Sequence, residues 1–210
     1  MFGTQHLIAF IVAGLVLNIT PGPDTFYILG RTLSQGRRAG VASVLGIATG
    51  SLIHTCAAAF GLSTLLATSA MAFVVVKTLG ACYLLFLGLR ALFGKSSAKF
   101  SKSNLKPEMI ATIYLQGVVT NVLNPKVALF FLAFLPQFVS ADAPNKAASF
   151  IFLGSVFVFN GTLYCTTLVF LAARIIKRFQ GNASFENWMK MLTGIIFVAL
   201  GLRVAGSKSN

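Results

Sequence analysis

Acidic residues are nearly missing from this chain. Of its 210 residues only 4 are Asp or Glu, and all charged residues together make up 10%. Soluble domains carry about a quarter, so a soluble globular fold is excluded. A hydrophobic fraction of 56% and a mean hydropathy of +0.83 exclude intrinsic disorder, which needs low hydrophobicity. Cysteine is scarce as well. Cys56, Cys82 and Cys165 all fall in apolar stretches, with no Cys-x-x-Cys pair and no Cys/His cluster. That spacing offers neither a disulfide framework nor a metal site, and the three read as small packing residues. The Gly-x-x-x-x-Gly-Lys-Ser/Thr phosphate loop is absent, so ATP-driven transport by this chain alone has no support. No enzyme activity and no cofactor are expected.

What remains is basic and apolar. Lys and Arg number 17, for a net charge of +13. Such a charge suggests nucleic acid, but here the basic residues sit between long apolar runs, the pattern of a multi-pass membrane protein oriented by its loops. Six stretches reach the roughly 20 residues a spanning helix needs: 5–30, 40–66, 70–93, 110–138, 147–173 and 188–206. The runs do not alternate as barrel strands would. The N-terminus has no basic n-region, so no removable signal peptide is expected. Arg31, Arg37 and Arg38 fall between spans one and two. Arg90, Lys95, Lys99, Lys102 and Lys106 fall between three and four, and Arg174, Lys177, Arg178 and Lys190 between five and six. These 12 lie on one side; Lys77, Lys146, Arg203 and Lys208 make 4 on the other. The positive-inside rule then places both termini outside.

The two halves resemble each other. Gly14-x-x-x-Asn18 in span one matches Gly117-x-x-x-Asn121 in span four, 103 residues on. Gly50-Ser51-Leu52 matches Gly161-Thr162-Leu163 at an offset of 111, and Lys77 with Gly88-Leu89-Arg90 matches Lys190 with Gly201-Leu202-Arg203 at 113. Three spans per unit is odd, so the second unit is inverted. Inverted repeats are a transporter architecture with the substrate site near the midplane. The expected fold is all-α, six transmembrane helices in one integral membrane domain over 1–210. Repeat 1 covers about 1–94, a cytoplasmic basic loop 95–109, and repeat 2 110–210.

Spans one and four are broken near mid-membrane. In the first, Pro21 and Pro23 flank Gly22 within Asn18-Ile19-Thr20-Pro21-Gly22-Pro23-Asp24. Each proline removes a backbone donor and obstructs the preceding turn. Pro23 suits the first position of a new half-helix, with Asp24 in its first turn beside the positive dipole end. In the second, Asn124 is a favourable N-cap and Pro125 again suits the first position. Such breaks persist in a bilayer only where buried or lining a cavity, so two at related places point to one central cavity.

Asp24 is the one acid inside a predicted span, and Lys126 the one basic residue near the middle of one. Intramembrane charges are functional candidates by default. Two readings stand. One is a static Asp24–Lys126 ion pair. The other is a zwitterion site, in which Asp24 meets an ammonium while Lys126 and the half-helix N-termini meet a carboxylate. Asn18, Thr20, Asn121 and Asn124 add neutral hydrogen-bonding groups. Asp24 and His54 are the proton-coupling candidates. Asn160 is a further lining candidate, and Tyr83, Tyr114 and Tyr164 read equally as packing or interface residues. Gly46-x-x-x-Gly50 permits close helix packing.

The first break resembles the opening signature of the LysE/RhtB family of bacterial amino-acid exporters. Asn124-Pro125-Lys126-Val127-Ala128-Leu129-Phe130-Phe131 resembles that family's mid-chain signature. The resemblance covers essentially the whole chain. It implies efflux of threonine-, homoserine- or leucine-like amino acids driven by the proton-motive force. At residue level it reaches Asn18, Thr20, Pro21, Gly22, Pro23, Asp24, Asn124, Pro125 and Lys126. The partners expected are an amino acid, protons and the lipid bilayer, with no nucleic acid; a homodimer is compatible with the chain's size. The alternatives are export of a metal or other small ion, which needs a ligand cluster, and a transmembrane thiol relay, which needs two cysteines meeting at the site.

Overall fold

The structure is a computed structural model. It describes residues 3–64, 106–140 and 143–179, with single helical positions between 71 and 93 and between 191 and 202. Six helices are bounded within it: α1 Leu7–Ile19, α2 Pro23–Gln35, α3 Arg37–Ala57, α4 Ile110–Val122, α5 Pro125–Leu129 and α6 Lys146–Phe179. Among the described residues there is no strand; one antiparallel bridge joins Thr4 to Val139.

The predicted first span is α1 plus α2, bent by 52° at the proline-rich break. The predicted fourth is α4 plus the segment from Pro125 to Phe138, bent by 47°. That second segment starts as α5, widens into a π turn over Phe130–Phe134 and ends as a 3-10 turn over Leu135–Phe138. Two helices are long and apolar enough to cross a bilayer unaided, Arg37–Leu62 and Lys146–Ala172. With each bent pair counted as one span, the described residues hold four. The predicted third and sixth spans lie mostly outside the described residues.

Two predicted edges move. The first span was expected to end at 30, with Arg31 in a loop. Instead α2 runs on to Gln35, and Arg31 is buried on it. Side-chain partners described below let a charged residue continue the helix. The fifth span was expected to end at 173, but α6 continues helically to Phe179, since a helix need not stop where the apolar run does. Gly36, at φ +82°, makes the sharp turn from α2 into α3; that left-handed conformation favours glycine.

Glycines set the helix spacing. A Cβ on Gly46 would stand 2.2 Å from the Tyr114 carbonyl oxygen, and one on Gly117 would stand 3.0 Å from the Ser43 carbonyl oxygen. So α3 and α4 pack backbone to backbone, as the Gly46/Gly50 spacing suggests. Tyr114 adds a hydrogen bond to the Thr49 hydroxyl at 2.9 Å. Towards the other ends of α1 and the α5 segment lies an aromatic core of Phe10, Phe130, Phe134, Phe138 and Phe157, all buried. Its ring centroids stand 4.8 Å apart for Phe130 and Phe157 and 5.3 Å for Phe10 and Phe138, within the range of favourable aromatic contact.

Candidate functional site at the paired helix breaks

A proline at position i leaves the carbonyl at i−4 without its helical donor. Two carbonyls here are orphaned in that way, Leu17 by Pro21 and Ile19 by Pro23; Asn121 loses its helical donor to Pro125 but accepts from the Asn124 backbone N–H at 3.0 Å instead. Each of the three meets a side chain from elsewhere. Lys126 Nζ donates to the Leu17 carbonyl at 2.9 Å and to that of Thr20 at 3.0 Å. The Tyr164 hydroxyl donates to the Ile19 carbonyl at 3.5 Å, and His54 Nε2 lies 3.2 Å from the Asn121 carbonyl. The ammonium also complements the negative end of the α1 dipole. A Cβ on Gly22 would come within 3.1 Å of Lys126 Nζ, so the glycine leaves room for the lysine.

The half-helices beyond the breaks start alike. Gly22 precedes Pro23 and Asp24 in α2; Asn124 precedes Pro125 and Lys126 in α5. Asn124 Oδ1 accepts from the Lys126 backbone N–H at 3.0 Å, as an N-cap does. Asp24 and Lys126 thus occupy the same position in their half-helices, yet they form no direct ion pair. Asp24 Oδ2 accepts instead from Asn121 Nδ2 at 2.7 Å, and Asn121 Oδ1 accepts from the Ser51 hydroxyl at 3.2 Å. Among the described residues the one ion pair joins Arg31 to Glu108.

Between the breaks lies a small cavity. Its polar wall is Asn18, Asp24, Thr25, Ser51, Asn121, Lys126 and Thr162; its apolar wall includes Val44, Ile47, Val127, Phe157 and Val158. Its volume is about 20 Å³, room for about one water. Asn18 Nδ2 and Asp24 Oδ1, both on the lining, are buried without a hydrogen bond among the described residues, whereas Asn124 Nδ2 lies off the lining beside the Asp24 carboxylate. Buried polar groups cost about 1–3 kcal/mol each when left unmatched, and the two on the lining mark where a polar ligand would gain most.

Of the predicted site residues, Asn18, Asp24, Asn121 and Lys126 line the cavity. Thr20 contributes its carbonyl, while its hydroxyl donates to the Val16 carbonyl at 2.8 Å. Pro21, Gly22, Pro23, Asn124 and Pro125 shape the breaks. His54 is not on the lining; it caps α4 and stacks on Phe131 at 5.6 Å. Asn160 is off the lining too, whereas its neighbours Gly161 and Thr162 are on it. Tyr83 lies outside the described residues. Thr25, Ser51, Thr162 and Cys165 were not expected at the site. Ser51 and Thr162 had a signal, as the residues that follow the matched glycines Gly50 and Gly161. Cys165 is the one cysteine of the three on the lining; Cys56 and Cys82 are exposed.

The contacts across the cavity are reciprocal. A Cβ on Gly161 would stand 3.2 Å from Asn18 Nδ2, and one on Gly50 would stand 2.7 Å from Asn121 Cβ. Each repeat-matched asparagine therefore sits on the repeat-matched glycine of the other half.

No solved structure matches the chain. Among curated proteins it is similar to YrhP, an uncharacterized membrane protein of Bacillus subtilis (strain 168). The two are 32% identical over 207 residues, covering 95% of this chain and 98% of that protein. It is 28% identical to a leucine efflux protein of Enterobacter sp. (strain 638), covering 97% of each. It is 26% identical to a leucine efflux protein of Salmonella typhimurium (strain LT2), covering 99% of this chain and 98% of the relative. The family model described as LysE type translocator matches residues 15–208. With both breaks and the whole cavity lining inside that match, the chain belongs to the LysE type translocators, a family of membrane transporters.

Proposed function

We propose that the chain exports a small neutral amino acid from the cytoplasm by alternating access. The observation that carries this reading is the set of unmatched buried atoms around the breaks. Asp24 Oδ1 is an acceptor suited to an ammonium, and Asn18 Nδ2 is a donor suited to a carboxylate. Lys126 has three N–H groups and gives two to backbone carbonyls, which leaves one for a ligand. The apolar wall formed by Val44, Ile47, Val127, Phe157 and Val158 suits an apolar side chain, and two relatives carry the name leucine efflux protein. The static ion-pair reading is disfavoured, because each charge already has its own partner.

The reciprocal Asn18–Gly161 and Asn121–Gly50 contacts support an inverted repeat, with the halves rocking about the cavity. The basic loops face the cytoplasm in this reading, both termini lie outside, and the proton-motive force drives export, with Asp24 as the first coupling candidate. The alternatives fare worse. A thiol relay needs a second cysteine beside Cys165, and among the described residues no cluster of His, Cys, Asp or Glu could hold a metal ion. The test is efflux from dipeptide-loaded cells. Overproduction should speed the exit of one or a few neutral amino acids relative to an Asp24→Asn control. Equal efflux from both would remove the zwitterion site.

A further inference from the structure

The cavity is bounded differently at its two ends. Towards the N-terminus of α1 lies the aromatic core. Towards the α2–α3 turn at Gly36 and the segment bearing Lys106 lies a partly buried polar lock between α2 and the entry to α4. Arg31 stands seven residues beyond Asp24 on α2, roughly 10 Å along the helix, and Gln116 stands five residues before Asn121 on α4, roughly 7 Å. Arg31 Nη2 donates to Glu108 Oε1 at 2.9 Å and to Gln116 Oε1 at 2.8 Å. Gln116 Nε2 donates to the other Glu108 oxygen at 2.8 Å. Gln35 Nε2 donates to the Glu108 carbonyl at 2.9 Å, and the Glu108 N–H donates back to Gln35 Oε1 at 3.1 Å. The Tyr27 hydroxyl donates to the Ile113 carbonyl at 2.6 Å. The two helices that carry Asp24 and Asn121 are thus tied together on the way from the cavity to the basic loops.

We infer that Arg31 and Glu108 form the cytoplasmic gate of the transport cycle. The inference rests on the transporter reading above. A path from the cavity to that face between α2 and α4 would cross this lock, which would then part for substrate to enter. The pair is asymmetric in a way that suits a gate. The Arg31 side chain is 5% exposed and that of Glu108 is 32% exposed. The carboxylate sits just ahead of α4 and can turn into water, while the guanidinium stays held by Gln35, Gln116 and the Lys106 carbonyl. Buried ion pairs add little net stability over apolar packing, and a switching role is among their attested uses. Breaking the pair should bias the protein towards a state open to the cytoplasm.

Cys165 on the cavity lining is a built-in reporter. In a Cys56→Ser, Cys82→Ser background, a membrane-impermeant maleimide is applied to either face, using inside-out and right-side-out vesicles. Glu108→Ala should speed Cys165 modification from the cytoplasmic face by about ten-fold, the scale of a modest population shift, with no gain from the outer face. Glu108→Gln should give a smaller one-sided gain. The charge swap Arg31→Glu with Glu108→Arg should return the rate towards the background. No gain in either variant, or an equal gain from both faces, overturns the gate. Efflux from the same cells separates the two readings: one-sided labelling without amino-acid export keeps the gate and removes the proposed substrate, whereas export without one-sided labelling does the reverse.

Discussion

Lys126 Nζ stands 2.9 Å from the carbonyl oxygen of Leu17, so a side chain from the second half of the chain closes the helix break in the first. The carbonyl lacks its own donor because Pro21 has no N–H. Lys126→Met should therefore do two things. It should abolish export, and it should cost stability, because two carbonyls at a buried break lose their donor, at about 1–3 kcal/mol each. Thermal unfolding in detergent together with an efflux assay checks both.

Asp24→Asn should separate function from fold. The amide oxygen still accepts from Asn121 Nδ2, the 2.7 Å bond of the native protein, so the unfolding temperature should change little while export is lost. A large drop in stability would identify Asp24 as a structural anchor.

Gly46 and Gly161 should respond differently to alanine. A Cβ at Gly46 would meet the backbone of Tyr114 at 2.2 Å, which no side-chain movement relieves, and overpacking of this kind costs about 1–3 kcal/mol. At Gly161 the neighbour is the Asn18 amide at 3.2 Å, which can give way. Gly46→Ala should lower membrane expression. Gly161→Ala should express normally and alter export, since Asn18 lines the cavity.

Replacing Cys56, Cys82 and Cys165 together by serine should preserve at least half of the export rate. The first two are exposed and unpaired, and Cys165 contributes one small group to a wall built by many others. Complete loss would revive the thiol relay.

Both breaks were legible in the sequence because proline chemistry and N-capping are local. Asn18–Asp24 and Asn121–Lys126 contain everything needed to stop one half-helix and start the next. The donors that repair the breaks were not legible. Lys126, Tyr164 and His54 lie 109, 145 and 67 residues from the carbonyls they meet, and no local pattern encodes such pairings. His54, on α3, reaches the Asn121 carbonyl near the end of α4 and is off the cavity lining. Arg31 shows that a charge count carries no information on burial. It was grouped with the loop residues that set orientation, but Tyr27, Gln35, Glu108 and Gln116 surround it, and it is buried. Three short matches carry the repeat reading, and the Asn18–Gly161 and Asn121–Gly50 contacts support two of them, with a small residue facing each asparagine; the third match lies mostly outside the described residues.

The most direct measurement is made on the purified chain in liposomes. Labelled leucine is supplied on the face that bears the basic loops, and a proton gradient is imposed across the bilayer. Gradient-dependent leucine movement by the native chain, absent from Asp24→Asn and from Lys126→Met, is the predicted result. Leucine movement undiminished in Asp24→Asn would contradict the account.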